Sequence, residues 1–333
     1  MGVTMSLETP MPRTSLRDPA FAPINRAFNA TFVPDRLSLG IVVPIESYPV
    51  SPVPDMERHL ERARLAETLG FSALWLRDVP FNVPSFGDAG QVFDPFVYLG
   101  YLAATTSRIG LGVASVVLPL RHPAHVAKSA ASADVLSGGR ILLGVASGDR
   151  PQEYPAMAKS FEDRGSRFRE HFDYIRRMAD DSPSFESSAG YPHGVDLLPK
   201  PVGPRLPVLI TGSSRQAPDW VAQNGDGWMT YPRDLISQAQ VVRDYRARTA
   251  AAGMHPKPVM QSLYVDLETA REARPKPIHL GFRSGTGPLL DYLKALRTLG
   301  VNHVALNLRF NATDVEDTMK RIAEEILPEV NKE

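Results

Sequence analysis

From Leu37 onward, short apolar runs alternate with amphipathic segments. The runs are LSLGIVV (37–43), SALWL (72–76), RIGLGVASVV (108–117), RILLGVA (140–146), PVLIT (207–211), GWMTY (227–231), VMQSLYVDL (259–267) and HVALNL (303–308). They are nearly continuous rather than alternating, the pattern of parallel strands buried on both faces. The segments between them carry helix-end signals. Asp55 is predicted to cap a helix bearing Met56, Leu60, Ala63 and Ala66, with Gly70 behind it. Asp94-Pro95 reads as an N-cap followed by proline at the first helical position. Thr286 opens a helix that Gly300 stops, and Thr313 to Glu316 fits a capping box before Val315, Met319, Ile322 and Ile326.

Strand–helix alternation repeated about eight times predicts an α/β fold, a closed (β/α)8 TIM barrel. An open doubly wound sheet is the competitor, but no GxGxxG follows the first strand. The division is an N-terminal arm over residues 1–35 and a barrel domain over 36–333. The arm either lies across the barrel or a neighbouring subunit, or is a partly disordered tail. Residues 181–206 form the longest irregular stretch, an inserted loop region expected between the fourth strand's helix and the fifth strand.

Composition narrows the function. The 333 residues include 37 Lys+Arg and 37 Asp+Glu, a balance that argues against general nucleic-acid binding. With no cysteine, disulfides, thiolate metal sites and cysteine nucleophiles are excluded. No apolar run approaches the roughly 18 residues of a membrane span. The arm lacks the apolar core of a secretory signal, and Glu8, Asp18 and Asp35 argue against a transit peptide. The default expectation is a cytoplasmic protein.

Three segments at predicted strand ends carry candidate chemistry. PVLITGSS runs into a predicted helix, so Gly212, Ser213 and Ser214 would sit where free N–H groups favour a phosphate; an ordinary serine N-cap is the plain alternative. LGVASGDRPQEY places Ser147, Gly148 and Arg150 at the rim, with Arg164, Arg167 and Arg169 downstream as bidentate phosphate donors or solvated surface groups. In GVASVV, the small Gly112, Ala114 and Ser115 allow a flat ligand close to the backbone, or fit the taper of a barrel. Asp78 ends the second strand as a catalytic base, a polar anchor or a salt-bridge partner of a nearby arginine. Phe81, Val83 and Phe86 follow it as pocket walls or loop packing. The eight histidines form no metal pattern: His122 reads as a loop or cap residue and His171 as an ordinary helical one. A barrel hydrolase would need a carboxylate pair or metal set, and none stands out.

At these motifs the chain resembles the bacterial-luciferase-like family of flavin-dependent monooxygenases and oxidoreductases. The resemblance runs from about Leu37 to the carboxyl terminus and is strongest over residues 102–154, with PVLITGSSRQAPDWVAQNGDGWM and GVNHVALN in support. It implies a homodimeric barrel with FMN at the carboxyl rim and a phosphate site at Ser213 and Ser214. Arg167, or less directly Arg164, would join that site. It implies a non-prolyl cis peptide at Ala114–Ser115 behind the ring, with Ser147 and Gly148 flanking the flavin. Luciferase itself has two histidines where this chain has Val79 and Pro80, and an arginine where it has Ser147, so light emission is not expected.

The activity implied is that of a monooxygenase taking reduced FMN from a separate flavin reductase and using O2 on a small apolar organic substrate. A deazaflavin-dependent hydride-transfer oxidoreductase and a non-catalytic flavin-binding barrel are the alternatives.

Overall fold

Eight parallel strands close on themselves, each linked to the next through helical or irregular crossovers. The computed structural model describes residues 20–180, 183 and 195–331. Residues 1–19 of the arm, and residues 181–182 and 184–194 of the 181–206 segment, lie outside the described residues. The order is α1 (Arg26–Thr31), β1 (Ser38–Val42), α2 (His59–Leu69), β2 (Ala73–Leu76), α3 (Pro95–Thr105), β3 (Gly110–Val117), α4 (Pro123–Ser137) and β4 (Ile141–Ala146). It continues with α5 (Glu153–Ala156), α6 (Arg164–Arg177), β5 (Val208–Thr211), α7 (Pro218–Asn224), β6 (Gly227–Thr230), α8 (Leu235–Ala251) and β7 (Val259–Leu267). The chain then adds β8 (Lys276–Ile278), β9 (Gly281–Ser284), α9 (Thr286–Thr298), β10 (His303–Asn307), α10 (Val315–Glu325) and α11 (Leu327–Val330).

Strands β1 to β7 pair in sequence, and β10 pairs in parallel with both β7 and β1, closing a TIM barrel. The β8–β9 hairpin adds to the outer end of β7 through Tyr264 to Leu267. Each apolar run of the sequence is one barrel strand.

The strands divide their side chains between two cores. Alternate residues such as Leu39, Ile41, Leu74 and Leu143 face the surrounding helices. The others, Trp75, Leu142, Leu209, Met229, Met260 and Ala305, fill the barrel itself. Residues 20–35 lie across the amino-terminal mouth, where Phe28 and Phe32 of the α1 segment pack against that interior cluster. Burying each of these rings contributes about 2–3 kcal/mol. Asn25 fixes the plug, its amide donating to Ile141 O at 2.9 Å and to Asp134 Oδ1 at 3.0 Å.

Two helix starts differ from the sequence expectation. The second helix begins at His59, after Arg58 in the left-handed region, rather than at Asp55. The Glu46 carboxylate draws the segment aside by accepting from Asp55 N and Met56 N, both at 3.0 Å. The last long helix is capped by Asp314, which accepts from Glu316 N and Asp317 N, one residue past Thr313. Asp94 caps α3 as expected, and α9 opens at Thr286.

Candidate active site

The carboxyl ends of the strands form the working rim. On β3 the register slips between Val113 and Val116, and the Ala114–Ser115 peptide inside that irregularity is cis. Ser115 Oγ shares a short hydrogen bond with Thr211 Oγ1 at the end of β5. Met229 of β6 lies beneath both, its Sδ 3.7 Å from Ser115 Oγ and 3.2 Å from Thr211 Oγ1. Three strands therefore meet over β4, and Gly144 makes room: a Cβ there would stand 2.7 Å from Met229 Sδ. Gly112, one turn of the pleat below, serves packing instead. A Cβ on it would fall 2.3 Å from the Trp75 ring, so the taper reading holds for this residue.

Past β4, Ser147 is buried and Gly148 takes φ +77°. The Tyr154 hydroxyl donates to Ser147 O and fixes this corner. Burial pushes the Tyr154 hydroxyl up to about 12 although Arg164 and Arg167 act in the other direction, so it stays a neutral donor. Arg164 stacks 3.5 Å over Phe161 and donates to Phe161 O at 2.7 Å. Arg167 pairs with Asp163 at 2.7 Å. Each of the two arginines keeps a buried Nε with no hydrogen-bond partner.

The turn after β5 departs from expectation. Ser213 and Ser214 do not cap a helix, because α7 begins four residues after Ser214, at Pro218, with Ala217 as its cap. Ser214 and Arg215 adopt left-handed φ, which delays the helix. Gly212 also has positive φ; Ser213 is exposed, while the Ser214 hydroxyl is spent on Thr211 O at 2.8 Å. The turn is nevertheless held against the first turn of α6. Gln216 donates to Gly165 O at 2.8 Å, and Gly165 has room only because it lacks a side chain, an added Cβ standing 3.0 Å from Arg215 Cβ. The fold thus brings the Ser147 corner, Arg164, Arg167 and the Gly212–Ser214 turn to one side of the rim.

Asp78 stands apart from these. Its side chain is fully enclosed, gripped by Arg121 through two bonds of 2.9 and 2.7 Å, and it accepts from Val117 N at 3.0 Å. Among the three roles open from sequence, this geometry is that of the salt-bridge anchor, tying the end of β2 to the end of β3. Phe81 and Phe86 are partly exposed and Val83 is buried on the loop that follows. His122 caps α4 by accepting from Ala124 N, and His171 is engaged with Leu118 O at 2.8 Å. Among the described residues no group of three His, Asp or Glu side chains could hold a metal ion, and no helix is long and apolar enough to cross a membrane.

Sequence reasoning missed Thr211, Met229 and Tyr154. Thr211 was legible as the strand residue just before Gly212. Tyr154 lay in the quoted LGVASGDRPQEY, but its partner is a main-chain oxygen that no motif records. A second cluster was also missed, in which Arg77 and Arg309 grip Asp88 at 2.6 and 2.9 Å.

Comparison with known proteins fits this geometry. The chain is 33% identical over 220 residues to the Mycobacterium tuberculosis protein Rv0953c, covering 61% of this chain and 77% of that one. It is 29% identical over 226 residues to an FMNH(2)-dependent dimethylsulfone monooxygenase of Pseudomonas putida, covering 66% of this chain and 61% of the relative. Its fold matches an F420-dependent secondary alcohol dehydrogenase with a TM-score of 0.73, at 17% identity, over 89% of this chain and 100% of the other. The family model for luciferase-like monooxygenases matches residues 37–322, and the chain belongs to that family.

Proposed function

We propose that this protein is an FMN-dependent monooxygenase that inserts one oxygen of O2 into a small organic substrate. The family's flavin and deazaflavin enzymes make it an oxidoreductase in either case. The observation that carries the choice of cofactor site is the pair of unpartnered, buried Nε groups on Arg164 and Arg167, in the first turn of α6 that Gln216 ties to the turn after β5. Buried donors without acceptors are costly, and a phosphate would satisfy them with charge-assisted bonds. FMN ends in a single phosphate, which one compact cluster can answer.

In this reading Arg164, Arg167, Gly212, Ser213 and the main chain of Ser214, whose hydroxyl stays on Thr211 O, hold the phosphate. Ala114, Ser115, Ser147 and Gly148 border the ring. When bound, reduced FMN supplies the two electrons with which O2 is split between substrate and water. The chain's own residues bind and shield. Ser115, Thr211 and Met229 form a tight floor, Val83 and the rings of Phe81 and Phe86 limit water on the loop side, and Asp78 positions the ends of β2 and β3. Reduced FMN would come from a separate flavin reductase. A homodimer is supported by the apolar exposure of Val97 and Tyr101 on α3 and of Leu136 on α4.

The test is a titration of the purified protein with FMN, with the deazaflavin in parallel, on wild type and on Arg164→Gln and Arg167→Gln. FMN should bind, and each substitution should weaken it by about tenfold or more. Unchanged affinity in both variants, or binding of the deazaflavin alone, refutes the assignment.

A further inference from the structure

The half of the rim formed by β7, β10, β1 and β2 carries a second cluster that the cofactor site does not use. Arg77 follows β2, Arg309 follows β10, and Asp88 lies on the loop after β2. Asp88 Oδ2 takes Arg77 at 2.6 Å and Arg309 at 2.9 Å, and Oδ1 takes Gly90 N at 2.8 Å. Arg150, arriving from the loop after β4, donates to the main-chain oxygen of Asp88 at 3.0 Å. Three guanidinium groups thus converge on Asp88, Arg77 and Arg309 at its carboxylate and Arg150 at its main-chain oxygen. Glu153 pairs loosely with Arg150 at 3.9 Å, too far for a hydrogen bond, and burial pushes its carboxyl up to about 7; Asp149 adds a second negative charge near Arg150, but neither carboxylate gives the guanidinium a hydrogen-bond acceptor.

These cations are enclosed. The Arg150 side chain is 6% exposed and that of Arg309 10%, yet Arg150 Nη1 and Arg309 Nε are buried with no hydrogen-bond partner. Arg140 shows how this fold treats an arginine with a purely structural task. It is equally buried and commits Nε, Nη1 and Nη2 to five bonds, four of them to main-chain carbonyls. An arginine cannot shed its proton, so a buried surplus of them with unused donors is complementary to an anion. Aromatic rings adjoin the cluster: Arg309 lies 4.8 Å over Tyr48 and 5.3 Å over Phe310, and Arg150 lies 4.2 Å over Phe86.

We infer that Arg77, Arg150 and Arg309 form the headgroup subsite for the substrate, and that the substrate is an organic anion, a carboxylate or sulfonate on an apolar body. The assignment to substrate rather than cofactor rests on the flavin phosphate occupying the Arg164–Arg167 side. The rings then receive the apolar body, and the arginines fix the end that carries charge.

The experiment titrates the FMN-loaded wild-type protein with hexanoate, hexane-1-sulfonate and the neutral 1-hexanol by calorimetry. At least one anion should bind about tenfold or more tighter than the alcohol. Arg150→Gln and Arg309→Gln should remove that preference, with FMN affinity unchanged. Equal binding of anions and alcohol, no binding of either anion, or displacement of FMN by the anions overturns the inference. The wild-type comparison needs no variant, so misfolding of Arg309→Gln does not blunt it. FMN affinity is read on the same samples and repeated on the flavin-free protein, which separates failure of the cofactor assignment from failure of this subsite.

Discussion

Trp75 Nε1 donates a 2.8 Å hydrogen bond to His303 Nε2 in the middle of the barrel. An indole N–H can only donate, so Nε2 is the unprotonated acceptor and Nδ1 carries the hydrogen. Nδ1 meets Ser38 Oγ at 2.7 Å, and that hydroxyl passes a hydrogen bond on to Thr31 O at 2.7 Å. The chain runs from the barrel centre to the plug helix α1 and leaves no room for a second ring proton.

Full burial pushes the His303 imidazole down to about 3 from an ordinary 6.5. Between those values the unfolded chain takes up a proton that the folded protein refuses. The His303 contribution to stability is therefore complete above about pH 6.5 and falls as pH drops, at up to about 1.4 kcal/mol per unit. His303→Asn should be less stable than wild type at pH 7 and should lose less on acidification. Urea unfolding at pH 7, 6, 5 and 4 measures both curves, and parallel curves would rule this histidine out as the acid-sensitive group.

Asp78 is the candidate whose role the structure narrows most. Asp78→Asn puts an amide among donors from Arg121 and Val117 and removes a buried charge partner. Arg121 keeps Asp94 at 2.8 Å, which moderates the cost to about 2 kcal/mol. Asp94→Asn, at a half-exposed carboxylate, should cost under about 1 kcal/mol. Thermal unfolding of both variants gives the ranking. If Asp78→Asn instead melts like wild type while turnover with its substrate vanishes, the residue is an acid or base and not an anchor.

Gly148 offers a sharper probe of the rim than its serine neighbours. At φ +77° any side chain is strained, and a Cβ would stand 2.7 Å from Val117 Cγ1 and 3.0 Å from the Tyr154 hydroxyl. Gly148→Ala should cost about 1–3 kcal/mol and, by moving Tyr154, weaken FMN binding. Ser214→Gly, which suits a positive φ but loses the bond to Thr211 O, should be nearly neutral in stability. Calorimetric unfolding and FMN titration of the pair check the contrast.

The barrel was legible because strands buried on both faces must be continuously apolar, a pattern no loop imitates. Gly112 was visible as a small residue and Gly144 passed unremarked inside its apolar run, and the reason for neither could be read. Each makes room for a large side chain from another strand, Trp75 or Met229, and such contacts between strands leave no trace in local sequence. Ser213 and Ser214 were visible as a polar pair after a strand. What the sequence hid was the left-handed pair Ser214–Arg215, which postpones the helix to Pro218 and changes a helix-end argument into a turn packed on α6. Asp88 stayed hidden for a similar reason. Its partners Arg77, Arg150 and Arg309 come from three separate strand ends, and only barrel closure brings β10 beside β1.

Glu153 gives the rim its own pH dependence, opposite in sense to that of His303. Its side chain is 3% exposed, Oε1 has no hydrogen-bond partner, and Arg150 remains 3.9 Å away. Burial is the largest influence and pushes its carboxyl from an ordinary 4.5 up to about 7, with Arg150 resisting. The folded protein then holds a proton that the unfolded chain has released. Its contribution is full below about pH 4.5 and is lost as pH rises to about 7. The loss amounts to about 2 kcal/mol once solvent screening is allowed for. Glu153→Gln, which keeps the neutral shape, should abolish this decline and be the more stable protein at pH 8, with little difference at pH 4.5. Guanidinium unfolding of the two proteins at pH 4.5 and 8 decides it. A wild type that matches Glu153→Gln at both values would mean that Arg150 holds this carboxylate ionised after all.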